Sequence, residues 1–295
     1  VTPKTNAAPP RSLLRTYLAL GRVSNLPTVW TNAVAGAYLS GAAPSARTVV
    51  LTAVALSFAY TGGMFLNDAF DREIDARERP ERPIPSGAIG AAHVFAVGFG
   101  LLAAGSLLVL FVTHTLAPFA WSLALAATIV LYDAWHKTNP LGPLVMAACR
   151  ALAVIVAASA AGGEITKPVA CGAAALLAWV VGLTYVAKKE GAVSLAGAWP
   201  AALLVSVVVY SLPAVIRVPG GTIAFFGMIG AVAYALTTLR GTSPGRFPRA
   251  VSVLIAGIAF VDAALVARTG AGFVAALVAL GFPVTLRLQR WVRGT

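Results

Sequence analysis

The sequence predicts an all-α fold, a polytopic bundle of nine to ten transmembrane helices. Three observations predict it. The 295 residues are 59% hydrophobic and 11% charged, with mean hydropathy +0.84, whereas a soluble domain carries about a quarter charged residues. Apolar runs reach the ~20 residues needed to cross a bilayer. The basic residues also fall into two unequal sets along the chain.

Residues 1–23 are polar and basic, without the early apolar core of a secretory signal, and read as a cytoplasmic N-terminal segment. Residues 24–295 read as a single transmembrane domain. Its ten apolar stretches run at 24–41, 48–66, 90–112, 115–133, 141–162, 168–187, 196–216, 221–239, 250–268 and 272–287. Helices are expected because an isolated span must satisfy its own backbone hydrogen bonds. Short loops make neighbouring spans antiparallel. The last stretch is short and reads either as a tenth span or as an interfacial or re-entrant helix after nine. Cys149 and Cys171 sit inside apolar runs and read as small hydrophobes, not as a disulfide or metal pair.

With the N-terminus in the cytoplasm, 17 basic residues fall inside and 4 outside (Arg47, Lys167, Arg217 and Arg268), with Arg150 inside a span. This is the positive-inside bias. It accounts for most of the +12 net charge without a nucleic-acid partner. The same orientation puts three charged loops on one face, those after spans two, four and six. They follow alternate helices and are expected to converge over one mouth of the bundle.

The loop after span two stands out. The stretch NDAFDREIDARERPERPIPSG, Asn67 to Gly87, holds six of the ten acidic residues. Asp68, Asp71 and Asp75 follow i, i+3, i+7, which on a helix places all three on one face within about 60° of arc. Carboxylates so aligned repel each other unless a cation lies between them. Mg²⁺ is held by one or two carboxylates plus substrate phosphates, so the pattern suggests a Mg²⁺–diphosphate site at the membrane surface. Asn67 adds a neutral oxygen. Arg72, Arg79 and Arg82 suit phosphate oxygens. The competing reading is a solvated loop in which Arg72 to Arg82 neutralise Asp68 to Glu81.

These residues resemble a known family. Asn67-Asp68-x-x-Asp71-x-x-x-Asp75, followed by Arg79-Pro80-x-Arg82-Pro83-x-Pro85-x-Gly87, resembles the first aspartate-rich motif of the UbiA superfamily of intramembrane prenyltransferases. Arg22-x-x-Asn25 opens span one as in that family. Tyr132-x-x-x-His136-Lys137 resembles its Tyr-x-x-x-Lys-Arg element, with His136 in the usual lysine position. The resemblance covers residues 15 to 268, and the tenth stretch exceeds the family's usual nine helices.

The resemblance implies a bundle around a central cavity with a lateral opening for a polyprenyl tail. It implies a Mg²⁺-dependent transferase moving a polyprenyl group from its diphosphate to a small polar acceptor among membrane lipids. Asp68, Asp71 and Asp75, with Asn67, would hold the metal and carry catalysis. Asn67, Arg72, Arg82, Lys137, Lys188 and Lys189 would position the donor head group. Asn25, Arg150 and Tyr185 would serve the acceptor side. Among the aromatic residues, Tyr132 and Tyr185 are expected to line the cavity because they flank the loops, while Tyr60, Phe65 and Trp30 read as packing or interface anchors. The implied location is the inner membrane of a bacterial cell, with the N-terminus and site loops cytoplasmic.

One element departs from the family. Its second aspartate-rich motif, after span six, is replaced by GLTYVAKKEG, Gly182 to Gly191, whose only carboxylate is Glu190. Lys188 and Lys189 read either as direct contacts for the donor head group or as positive-inside anchors. Divergent branches of the family share this feature. One transfers a phosphoribosyl group to a polyprenyl phosphate. Another is the UbiA-like protein of bacterial ebo-type gene clusters, which CRAL (Cys149 to Leu152) and GLTYVAK resemble. Terpene cyclisation is a further alternative, and a transporter or lipid-binding scaffold is the non-enzymatic one.

Two charges lie within spans, Arg150 and Asp262. Each costs at least ~2.5–3.5 kcal/mol there. Arg150 reads either as an anion contact in the cavity or as half of an Arg150–Asp262 structural pair.

Overall fold

The computed structural model describes residues 13–137, 139–188, 199–215, 218–241 and 243–292, and among these there is no strand. Helix α1 (Leu13–Leu20) leads through a single 3-10 turn (Val23–Asn25) into α2 (Leu26–Leu39). Helix α3 (Ala46–Phe70) is followed by the short α4 (Arg72–Glu78). Then come α5 (Ala91–Thr113), α6 (Leu116–Trp135), α7 (Gly142–Ala160) and α8 (Lys167–Lys188). After these follow α9 (Trp199–Val215) and α10 (Pro219–Arg240). The last two stretches are broken helices, α11 (Arg246–Ala256) with α12 (Ile258–Arg268), and α13 (Gly272–Ala279) with α14 (Gly281–Gln289). Among the described residues, eight helices or helix pairs are long and apolar enough to cross a membrane, and α9 is a shorter apolar one. With the 14-residue α2, each of the ten apolar stretches contains a helix among its described residues.

Helices α2 and α7 form the central seam. Val29 and Ala33 of α2, with Val156 and Ala157 of α7, join a core shared with α3, α5 and α6. Ala35 and Leu39, with Val154 and Ala158, join the core built by α8, α9, α10 and α12. Gly36 permits this contact. A Cβ there would lie 2.4 Å from the Val154 carbonyl oxygen and 2.7 Å from the Ala157 Cβ. Small residues bring membrane helices together in this way because dispersion contacts, not the hydrophobic effect, hold them.

The seam also carries the charges of the spans. Asp262 Oδ2 accepts from Thr31 Oγ1 at 2.6 Å and from Asn32 Nδ2 at 2.8 Å. Asn32 Oδ1 accepts from Arg150 Nη1 at 2.8 Å. The Arg150–Asp262 structural pair, one of the two readings the sequence offers, is therefore not a direct one. The Asn32 amide, a donor on one side and an acceptor on the other, stands between the two charges.

The last stretch returns to the first. A Cβ on Gly281 would lie 2.8 Å from the Thr31 Cγ2, so α14 packs closely on α2. Eight residues further on, Gln289 Nε2 donates to Asn25 Oδ1 at 2.9 Å. The turn after α4 closes through Ser86 N→Arg82 O (2.9 Å) and Gly87 N→Ile84 O (3.1 Å). Gly87 takes φ +76°, a left-handed conformation open to glycine at little cost.

Candidate active site

The aspartate stretch does not form one continuous helix. Helix α3 ends at Phe70, Asp71 has φ −77° and ψ −4°, and α4 begins at Arg72. The hydrogen bonds Asp71 N→Asn67 O (3.0 Å) and Asp75 N→Asp71 O (2.9 Å) carry the chain across the break. All three aspartates are buried, with Asp68 9%, Asp71 5% and Asp75 3% exposed.

The one-face expectation is accordingly modified, because the carboxylates divide two and one. Arg82 Nη1 lies 2.7 Å from Asp75 Oδ2 and 3.3 Å from Asp68 Oδ1, bridging the pair. Asp71 Oδ2 turns toward the end of α6, 3.1 Å from Lys137 Nζ and 3.7 Å from His136 Nε2. Burial pushes the His136 imidazole below its ordinary pKa, against the pull of Asp71. The charge opposite Asp71 is thus mainly that of Lys137. Two of the three loops expected to converge meet through these contacts. The third, with Lys189 and Glu190, lies outside the described residues, as does the side chain of Lys188.

Arg22 enters this cluster from the N-terminal side. Its Nη2 lies 3.3 Å from Asn67 Oδ1 and 3.4 Å from Asp68 Oδ1. The residue has φ +41° and ψ +45°, unusual for a side chain with a Cβ, and strain of this kind gathers at functional sites. Arg72 is not brought in. It follows Asp71 by one residue and so projects about 100° around the helix. It pairs with Glu73 at 3.0 Å and lies over the Phe95 ring at 5.8 Å.

Below the mouth lies a cavity of about 190 Å³ between α2, α3, α6, α7 and α8. Its walls are mostly apolar, with Leu56, Leu125, Ile129 and Met146 among them. Arg22, Asn25, Asn67, Tyr132 and Arg150 also line it. The Tyr132 ring stacks on His136 with centroids 4.6 Å apart. Tyr185 does not reach this cavity. Its hydroxyl donates to the Pro140 carbonyl at 2.9 Å and its ring meets Trp199. Tyr60, read from the sequence as packing, lines the cavity in its place. The Arg150 guanidinium sits 5.3 Å from the Tyr60 ring centroid, and Asn25 Nδ2 donates to the Tyr60 hydroxyl at 3.2 Å.

Sequence reasoning missed one carboxylate here. Asp133, on the last turn of α6, is 3% exposed and lines the cavity. Its Oδ1 accepts from Asn67 Nδ2 at 3.2 Å. The available signal was an acid inside the Tyr132–Lys137 element, next to a residue already singled out.

Fold and site define an integral membrane protein whose apolar chamber opens under a mouth of paired carboxylates and cations. The chain belongs to the UbiA prenyltransferase family, whose model matches residues 28–241. Over 119 residues it is 40% identical to a digeranylgeranylglyceryl phosphate synthase of Ignicoccus hospitalis, covering 40% of this chain and 38% of that protein. Over 153 residues it is 32% identical to the protein of the same name from Thermococcus gammatolerans, covering 50% and 54% respectively. The matched part thus spans about half or less of these relatives. Among solved structures, a UbiA homologue from Aeropyrum pernix K1 superposes with TM-score 0.63 at 19% identity, over 82% of this chain and 96% of that one. A UbiA homologue from Archaeoglobus fulgidus, bound to GPP and Mg²⁺, gives TM-score 0.59 at 16% identity, over 89% and 99%. At these identities the superpositions speak for the fold, and function must be argued from the site.

Proposed function

We propose that this protein transfers a polyprenyl group from its diphosphate to a hydroxyl of a glyceryl phosphate lipid, with Mg²⁺ at the mouth of the cavity. The observation that carries the reading is the mouth itself. Three buried carboxylates face Arg22, Arg82 and Lys137 directly above an apolar chamber. A diphosphate needs cations for its oxygens, and a metal bridging it to the protein needs carboxylates. The tail needs an apolar volume next to both.

The donor set fits Mg²⁺. Asp68, Asp71 and Asp75 supply hard oxygens. Among the described residues no three acidic, histidine or cysteine side chains converge as a metal cage, but Mg²⁺ does not require one, since diphosphate oxygens complete its shell. When bound, the metal would neutralise the diphosphate and help it leave. The chain's own part is to aim fixed cations at oxygens on which charge builds, which lowers the barrier. Arg82 and Lys137 stand where they can exchange an aspartate for a phosphate oxygen. Lys188 and Lys189 are proposed as further contacts to the head group, and Arg150 and Asn25 as walls on the acceptor side. The names of the relatives favour a glyceryl phosphate acceptor over the small polar one implied by the ebo-type likeness. The cytoplasmic orientation of the mouth is proposed on the basic-residue bias.

The test is transfer from geranylgeranyl diphosphate to geranylgeranylglyceryl phosphate by purified protein, with Mg²⁺ and with EDTA. Turnover should require Mg²⁺ and be lost in Asp71→Ala, with that variant still folded and membrane-inserted. Full activity in Asp71→Ala would overturn the reading. Binding of phosphoribosyl diphosphate but of no prenyl diphosphate would replace it with sugar transfer.

A further inference from the structure

Asp133 carries an unspent hydrogen-bonding capacity. Its Oδ1 is taken by Asn67, but Oδ2 is buried and has no hydrogen-bond partner. A buried polar atom left unpaired costs about 1–3 kcal/mol, and more for a charged group. Such a group in a cavity wall indicates what the cavity receives.

The candidate partners can be told apart by charge and chemistry. The donor's diphosphate is an anion made of acceptor oxygens, so a carboxylate oxygen repels it. The polyprenyl tail has no hydrogen to donate. A metal ion is assigned above to Asp68, Asp71 and Asp75, and none of these lines the cavity wall that holds Asp133. What remains is a neutral O–H donor, which a prenyl acceptor brings as its nucleophile.

We propose that Asp133 is the residue by which the cavity selects its acceptor, taking a hydrogen bond from the acceptor's nucleophilic hydroxyl on Oδ2. This rests on the prenyl transfer proposed above and names the group that reads its second substrate. The bond holds the hydroxyl oxygen on the α6 wall, beside Tyr132 and below Asn67. Asn67 then has two tasks. Its amide nitrogen fixes Asp133, and its oxygen faces Arg22 and the mouth. A single side chain so ties the hydroxyl site to the donor site. Arg150 lies on the neighbouring α7 in the same cavity, with a cation available for an anionic group of the same acceptor.

A site built to accept a hydrogen bond from a hydroxyl rejects analogues that lack it, because its own polar atom is then left unpaired. The test is made on the full chain in lipid nanodiscs, wild type and Asp133→Asn. Asparagine keeps an oxygen for Asn67 Nδ2 and turns the free acceptor into a donor. Two measurements are compared. One is Mg²⁺-dependent binding of geranylgeranyl diphosphate. The other is the affinity for geranylgeranylglyceryl phosphate relative to the same lipid with its free hydroxyl methylated. Wild type should prefer the free hydroxyl by about tenfold or more, and Asp133→Asn should bring the ratio close to one with donor affinity within about twofold. An equal ratio in wild type, or an unchanged preference in Asp133→Asn, would overturn the proposal. An equal wild-type ratio overturns the proposal whether or not the variant folds. Donor binding with no binding of either lipid would also overturn it. Loss of donor binding in the wild type would instead strike at prenyl transfer itself.

Discussion

Two polar clusters sit in this bundle and are built on opposite rules. At the mouth, cations touch carboxylates directly: Arg82 meets Asp68 and Asp75, Arg22 meets Asp68, and Lys137 meets Asp71. At the seam of α2, α7 and α12, Arg150 and Asp262 are kept apart by the Asn32 amide. A direct ion pair has members that can be exchanged. A phosphate oxygen can take the arginine and a metal can take the carboxylate, at little net change in the number of charge contacts. A relay through a neutral amide has no such exchange. Thr31 and Asn32 fix Asp262, and through Asn32 they fix one nitrogen of Arg150 while its face lies on Tyr60. The difference teaches where ligands act. Exchangeable pairs mark the mouth, and the relayed network marks the scaffold that aims Arg150.

The largest effect should come from the mouth. Asp71→Ala is expected to lower turnover by about 10³-fold, the scale on which removal of a charge-stabilising group acts, with the thermal midpoint in detergent nearly unchanged. Losing Asp71 also frees Lys137, so the variant should retain part of its affinity for a diphosphate in EDTA. Equal loss of midpoint and turnover would erase the distinction between the clusters.

The seam should show the reverse. Asp262→Ala leaves the Asn32 amide nitrogen without its acceptor in a buried place, while the Thr31 hydroxyl keeps the Thr28 carbonyl at 3.0 Å, at a cost of about 1–3 kcal/mol in stability. Donor binding in the folded fraction should hold. A stable Asp262→Ala protein that cannot bind prenyl diphosphate would break the comparison. Arg82→Lys sharpens it from the other side. A lysine is a point charge without the guanidinium's further donors, which suit phosphate oxygens. Affinity for the donor should fall about tenfold, equivalent to about 1.4 kcal/mol, as measured by titration with Mg²⁺ present.

What was legible in the sequence follows the same division. The apolar helices and their order could be read because each satisfies its backbone alone and shows as an apolar run. The aspartates could be read because their spacing is short-range, and Lys137 because it sits in a recognisable element. Features made by tertiary approach could not. The break at Asp71 separates one carboxylate from the other two, and no local residue preference announces it. Arg72 faces away for a reason that was available, its position one residue after Asp71, but the pattern of alternating charges concealed it. Tyr60 and Tyr185 exchanged roles because proximity to a loop is a poor guide to which face of a helix meets the cavity. Asp133 looked like one acid in a polar segment until its neighbour proved to be Asn67, 66 positions away.

The smallest expected effect tests the closure between the last helix and the first. Gln289 donates to Asn25, which in turn donates to the Tyr60 hydroxyl under Arg150. Gln289→Ala removes one hydrogen bond at the rim, worth about 0.5–1.5 kcal/mol net. If α14 positions the cavity wall, KM for the acceptor should rise a few-fold while kcat and donor affinity hold, since neither the mouth pairs nor the seam relay is touched. A KM equal to wild type would mean that Asn25 keeps its place without Gln289. The tenth stretch would then be an attachment to the bundle, with no part in shaping the site.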